Sequence, residues 1–292
     1  MAGKQGIDPY LSRVEFDNLP RTSGLLSTLH QVNWPLLLGG FISLIMLLIA
    51  IWGPRWALQD PMQENYALSI NGRIVSPPYA PFALPGYPLG TDQFGRDMLS
   101  RILWGVRPTL IIVSIVAITR LILGVLLGFV IGWSVGVIGK ILDTFLFIAL
   151  SIPILIVALM GITAIGVEKG IWAFIFGLAL TGWAETARII STQTRILRGQ
   201  TFVEAAQALG ASEWRVLLKH VIPQISPLVW MLLVFEVSAT LFVISELGFL
   251  GYYIGGGIWI EISDFVSVNT TGLPELGQML STALVSLVKP KC

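Results

Sequence analysis

The stretch Thr201-Phe202-Val203-Glu204-Ala205-Ala206-Gln207-Ala208-Leu209-Gly210, followed by Ser212 and, twelve residues after Gly210, by Ile222-Pro223, decides how the chain is read. Residues 201–209 favour a helix, Gly210 is placed to supply a left-handed stop, and Ser212 is placed to cap a second helix. The spacing therefore predicts a helix-turn-helix, surrounded by Arg195, Arg198, Arg215 and Lys219. Apolar runs flank it, about Ile171 to Ile190 before and about Pro223 to Ile244 after. A connection between two such runs is ordinarily polar and irregular. This one is helical and exposes alanines, Leu209 and Trp214, and exposed apolar residues in a short connection point to a protein partner.

Outward from this segment the chain reads as membrane-spanning helices. A bilayer core of about 30 Å needs about 20 apolar helical residues. Residues 34–52 carry no charge and have Trp34 and Trp52 at the two ends, where interfacial tryptophans belong. Residues 53–107 contain Pro54, Pro61, Pro77, Pro78, Pro81, Pro85 and Pro88, a spacing that forbids a long helix and predicts an extracytoplasmic loop. The core, 108–250, opens with a second span from Pro108 to about Trp133, interrupted by Arg120. A third runs from Thr144 to Val167, with Pro153 expected to kink it. The fourth and fifth are the runs flanking the opening segment, with Pro223 in a first-turn position and Glu236 mid-span. Five Lys or Arg residues between 188 and 219 put the loop 191–222, and with it the segment 1–33, in the cytoplasm. The tail, 251–292, is glycine-rich and reads as an extracytoplasmic loop or re-entrant turn. Its apolar run 276–288 has 13 residues, roughly 20 Å as a helix and too short to span. The expected total is five spans, with no cleavable signal peptide.

Composition removes other function classes. Of 292 residues, 54% are hydrophobic and 12% charged, against about 25% charged in soluble domains. A net charge of +1 offers no field for nucleic acid. The single cysteine, Cys292, excludes an internal disulfide framework or thiolate metal cluster, and His30 and His220, far apart in sequence, give no basis for a His-based catalytic site. Around Gly139-Lys140 a phosphate loop fails, because Ser134 and Ile141 stand where glycine and a hydroxyl are required. The expectation is a membrane protein that is not an enzyme and holds no metal. Gly124, Gly128, Gly132 and Gly136 recur every four residues, a smooth stripe over which another helix can pass closely. Arg120 and Glu236 lie inside spans, where such a charge costs at least about 2.5 kcal/mol. They are expected to pair within the bundle. The residues alone also leave open an ion-coupled secondary carrier that uses these charges.

The 204–223 segment resembles the Glu-Ala-Ala loop of binding-protein-dependent ABC permeases: Glu204, Ala205 and Ala206, then Gly210, then an ending at Ile222-Pro223 with His220 in place of the usual isoleucine. Pro88-Leu89-Gly90-Thr91-Asp92-Gln93-Phe94-Gly95-Arg96-Asp97 resembles the signature of the C-type subunit of dipeptide and oligopeptide permeases, and Glu246 to Gly251 is similar to the same branch. The resemblance implies an all-α polytopic bundle of the ABC importer permease type. It also implies a role in uptake of short peptides across the plasma membrane, a second homologous permease, an extracytoplasmic substrate-binding protein, and two cytoplasmic ATPase subunits that hold ATP and magnesium while this chain holds no cofactor. Glu204, Ala205, Ala206, Gly210, Ile222 and Pro223 would form the ATPase-coupling loop. The family usually has a sixth span after the segment 274–280. Against that pattern the sixth span is expected to be missing here, with the chain either truncated or ending outside.

Overall fold

The computed structural model describes residues 33–65, 67–70, 73–255, 258–263, 266–270 and 273–281. The expected cytoplasmic segment lies outside these residues except for Asn33, as do residues 282–288 of the last apolar run and Cys292. Helix α1, Trp34–Trp56, takes in Pro54 in its last turn and so runs past the predicted end at 52. A short antiparallel hairpin follows, β1 Leu68–Ile70 and β2 Arg73–Val75, with Leu68 opposite Val75.

Helix α2, Met98–Trp133, begins ten residues before the predicted start at Pro108, so the predicted loop 53–107 ends at Asp97. The cause is local. The Asp97 carboxylate accepts the Ser100 N–H at 2.9 Å and caps the helix, and Arg101 in the first turn is buried by an ion pair instead of needing water. Pro108 is carried inside the helix, where it leaves only the Trp104 carbonyl without its usual donor.

The predicted third span is two helices, α3 Gly136–Ser151 and α4 Ile154–Ile165, bent by 87°. Pro153 occupies the N-cap position of α4 and breaks the path rather than kinking it. Gly166 and Gly170, at φ of 102° and 55°, bracket a tight 3-10 turn. The predicted fourth span is also interrupted: α5 Ile171–Ala179 and α6 Trp183–Arg198 meet at Leu180 to Gly182. Its helix continues well past Ile190 into the predicted polar segment.

Helices α7, Thr201–Ala208, and α8, Glu213–Val216, form the helix-turn-helix. Ser212 stands at the N-cap of α8, but its side chain makes no capping bond. A π-turn, Leu217–Val221, joins α8 to α9, Ile222–Phe249. The glycine-rich tail contains a second hairpin, β3 Ile258–Ser263 with β4 Val266–Thr270, bulged between Glu261 and Ser263, and a helix begins at 276.

Four stretches among the described residues are long and apolar enough to cross a membrane: Trp34–Trp56, Met98–Trp133, Ile171–Arg198 and Glu213–Phe249; the bent α3–α4 pair makes up to five. The molecule is an all-α membrane bundle with two small hairpins outside its helices. Among the described residues three buried clusters hold it, the smallest joining Ile131, Leu146, Ala184 and Ala187. Ile112, Val113 and Val116 of α2 meet Ile162 of α4, Phe174 and Leu178 of α5, and Leu247 of α9. Leu121 of α2 and Ile190 of α6 meet Val203, Val216, Leu217 and Val221 of the loop, and Ile225 of α9.

Candidate functional site

The segment 90–101 is a polar knot at the head of α2. Asp92 organises it. Its Oδ1 accepts the N–H groups of Phe94 and Arg96 at 2.9 and 3.0 Å. Its Oδ2 accepts Arg96 Nε at 2.8 Å and Arg101 Nη1 at 2.7 Å. Arg96 also lies over the Phe94 ring at 4.5 Å. Thr91 Oγ1 accepts the Tyr79 N–H at 2.9 Å. Gly90 and Gly95 have φ of 73° and 77°, and a Cβ on either would stand 2.3 and 2.1 Å from the backbone of Tyr79 and Asn65. Only glycine fits both counts.

Arg101 reaches on to Gln278 Oε1 at 2.8 Å, which ties the knot to the tail. Beside it, buried Glu275 accepts the Ile254 N–H at 2.8 Å. Burial pushes the Glu275 carboxyl up to about 8, although that N–H and the charge of Arg101 both pull it back.

Deeper in α2, Arg120 is fully buried. Its Nε donates to the Leu178 carbonyl at 2.9 Å, its Nη1 to Thr240 Oγ1 at 3.1 Å, and its Nη2 to Thr181 Oγ1. Glu236 Oε2 lies 4.0 Å from Nη1, and Oε1 accepts the Thr186 hydroxyl at 2.5 Å. The two charges that sequence analysis singles out do meet, though most of the guanidinium is satisfied by the α5–α6 break and Thr240. Gly182, at φ 74°, makes room: a Cβ there would be 3.1 Å from Arg120 Cδ. Two adjoining cavities, about 280 and 330 Å³, open beside this centre and share Ile154, Gly182 and Glu185.

The glycine stripe faces α6. A Cβ on Gly124, Gly128 or Gly132 would come within 2.6 to 2.7 Å of Thr186, Ile190 and Thr194 or Ser191. Gly136 is not part of it. It starts α3 at φ 66° with nothing within 4 Å of its would-be Cβ, because α2 has already ended at Trp133. Sequence spacing cannot see a helix end that lies between two repeats. Among the described residues two glycine pairs also cross closely, Gly161 against Gly177 and Gly248 against Gly277. Neither pair has a periodic signal, since each glycine is alone on its own helix.

In the helix-turn-helix, Val203, Val216, Leu217 and Val221 are buried, while Glu204, Ala205, Leu209, Trp214 and Pro223 are exposed. Ala206 and Ile222 are half-buried, and Gly210 turns the chain at φ 85° with open space around it. This loop is fastened to the end of α2. Trp133 Nε1 donates to Glu213 Oε2 at 3.2 Å, and Arg198 Nη1 donates to the Trp133 carbonyl at 2.7 Å. Arg195 joins Asp143 of α3 at 2.5 Å. Among the described residues no group of three or more His, Cys, Asp or Glu is placed to hold a metal ion.

A membrane bundle with an exposed helical loop matches the family model described as binding-protein-dependent transport system inner membrane component over residues 124–288, more than half of the chain. The chain belongs to that family. It is thus a multi-pass transport permease subunit and not an enzyme. It is 27% identical over 240 residues to the oligopeptide transport system permease protein OppC of Bacillus subtilis, covering 82% of this chain and 73% of that one. It is 27% identical over 238 residues to the dipeptide transport system permease protein DppC of Bacillus subtilis, covering 82% and 69%. With the dipeptide transport system permease protein DppC of Lactococcus lactis the identity is 30% over 153 residues, covering 52% and 44%.

Proposed function

We propose that this permease is one subunit of an ATP-driven importer of short peptides, that it lines the pathway with a second, homologous permease, and that its 204–223 loop docks on cytoplasmic ATPase subunits. The observation that carries the reading is the outward face of the helix-turn-helix, where Leu209 is 90% and Trp214 71% exposed. Apolar side chains held out on a rigid support, with their neighbours packed inward, suit a protein partner. The names of the relatives supply the substrate class. In this reading the loop and the N-terminal segment face the cytoplasm of a plasma-membrane protein, and the proline-rich loop meets the extracytoplasmic binding protein. The ATPase partners bind ATP and magnesium, and this chain needs no cofactor. Movement of the loop would reach the pathway through Glu213 and Trp133 into α2.

Gly210→Pro tests the coupling role, because proline is held near φ −65° and Gly210 sits at φ 85°. ATP-dependent uptake and co-purification of the ATPase should both be lost while the chain stays in the membrane. Glu204→Lys should act in the same direction without breaking the turn. Uptake that persists in both variants would remove the loop from the coupling path. An ion-coupled carrier is the competing reading, supported by the charges beside the cavities. It requires those charges to change partners, and the three hydrogen bonds that Arg120 donates disfavour that. Uptake driven by an ion gradient in vesicles lacking any ATPase would reverse the choice.

A further inference from the structure

Two broken paths face each other in this bundle, the 87° bend before α4 and the α5–α6 interruption. Irregular backbone at membrane depth is tolerated where it is covered by protein or lines a watery cavity. Here the two adjoining cavities lie against both breaks. Their charged lining is unequal. Arg120 is fully buried, and its nitrogens already donate to Leu178, Thr181 and Thr240. Glu236, 6% exposed, lines the larger hollow's neighbour, and its Oε2 makes no hydrogen bond among the described residues, the Arg120 nitrogen being 4.0 Å away. Glu185 lines both cavities, is exposed, and its carboxylate has no hydrogen bond or ion pair among the described residues. Two carboxylates against one guanidinium leave the lining one negative charge in excess. The rest of the walls is mostly apolar, with Ile154, Ile189 and Phe235 among the lining residues and Thr181 and Thr186 as the polar exceptions.

We infer that this paired cavity is a solute-recognition site inside the permease, in which Glu185 and Glu236 receive a primary ammonium group, the α-ammonium of a peptide, while the apolar walls take the adjoining side chain. An ammonium matches this lining in chemistry: it is a compact cation with three donors and no acceptor. The inference rests on the peptide reading above and deepens it by naming the group recognised.

The test uses the intact transporter in vesicles, supplied with saturating binding protein loaded with Ala-Ala dipeptide, and reads uptake and ATP hydrolysis separately. Glu185→Gln, at an exposed position that the fold does not depend on, should lower uptake about tenfold or more, as loss of one charge contact of about 1.4 kcal/mol does. Stimulated ATP hydrolysis should stay within about twofold of wild type on the same scale. Glu185→Asp should recover most of the uptake. Uptake left unchanged by Glu185→Gln overturns the inference, as does a parallel fall of uptake and hydrolysis, which would mark a structural or coupling role. A wild-type complex that imports no dipeptide at all strikes the peptide reading instead, and is told apart because it fails before any variant is compared.

Discussion

Arg120 shows how a single buried charge shapes its surroundings. A guanidinium needs several acceptors in apolar surroundings, and α5 ends where it does so that the Leu178 carbonyl and the Thr181 hydroxyl can serve it. The presence of the charge was legible in the sequence, and so was Glu236 as its partner. The acceptors at Leu178, Thr181 and Thr240 were not, because a backbone carbonyl and two hydroxyls carry no signal that separates them from any others. Arg120→Leu should destabilise the permease by about 3–5 kcal/mol, since it leaves Glu236 as a lone buried charge, and the double change with Glu236→Leu should cost less than the single one. Thermal unfolding of the purified subunit in detergent checks this, and a double change worse than either single change would refute it. Glu275 gives a second prediction at this scale. Its carboxyl is raised from 4.5 to about 8 in the folded protein, so the folded state holds a proton that the unfolded state releases. The sign follows from linkage: the stabilisation is complete below about 4.5, declines as pH rises through the window, and is gone above about 8. Melting curves across that window should show the decline, and Glu275→Gln should flatten it.

Among elements, the seam between α2 and α6 is the closest. Gly128 sits where a Cβ would be 2.7 Å from Ile190 Cβ and 2.8 Å from the Ala187 carbonyl. Neither atom belongs to a flexible side-chain end, so Gly128→Leu should separate the two helices. We expect loss of the monodisperse subunit on size exclusion, with Gly136→Leu showing less harm despite sharing the spacing, because there the cost is the local backbone strain at φ 66° and no neighbouring helix is pushed away. A Gly128→Leu variant that purifies and melts like wild type would refute the seam. The stripe was legible because four-residue spacing maps directly onto a helix face. Helix ends were less so. Pro108 looked like a beginning, yet the buried knot around Asp92 starts the helix at Met98. The run 171–190 looked continuous, and Arg120 ends it from outside. In the tail, glycine density hid a hairpin whose alternation, Ile258, Ile260, Ile262 and then Val266, Val268, is the period of a strand.

At the scale of the whole molecule, the contacts that matter most join segments distant along the chain: α2 with α6, Arg101 with Gln278, and the helix-turn-helix with Trp133. The cage of Arg120 has a consequence for biogenesis. Proteins are synthesised from the N-terminus, so α2 leaves the ribosome while its acceptors at Leu178, Thr181 and Thr240 do not yet exist. An uncaged arginine at mid-helix costs about 2.5–3.5 kcal/mol to insert, and the apolar flanks of α2 have to carry that charge through the wait. Nascent chains ending before residue 178 should therefore show α2 only partly integrated. Chains that extend beyond residue 240 should show it fully integrated, and Arg120→Leu should remove the difference. Glycosylation mapping or alkali extraction of the stalled chains reads the two states directly. Insertion of the second span is thus settled only after most of the protein has been made, and its early partners in the membrane must be lipid, water drawn in around the guanidinium, or the insertion machinery itself.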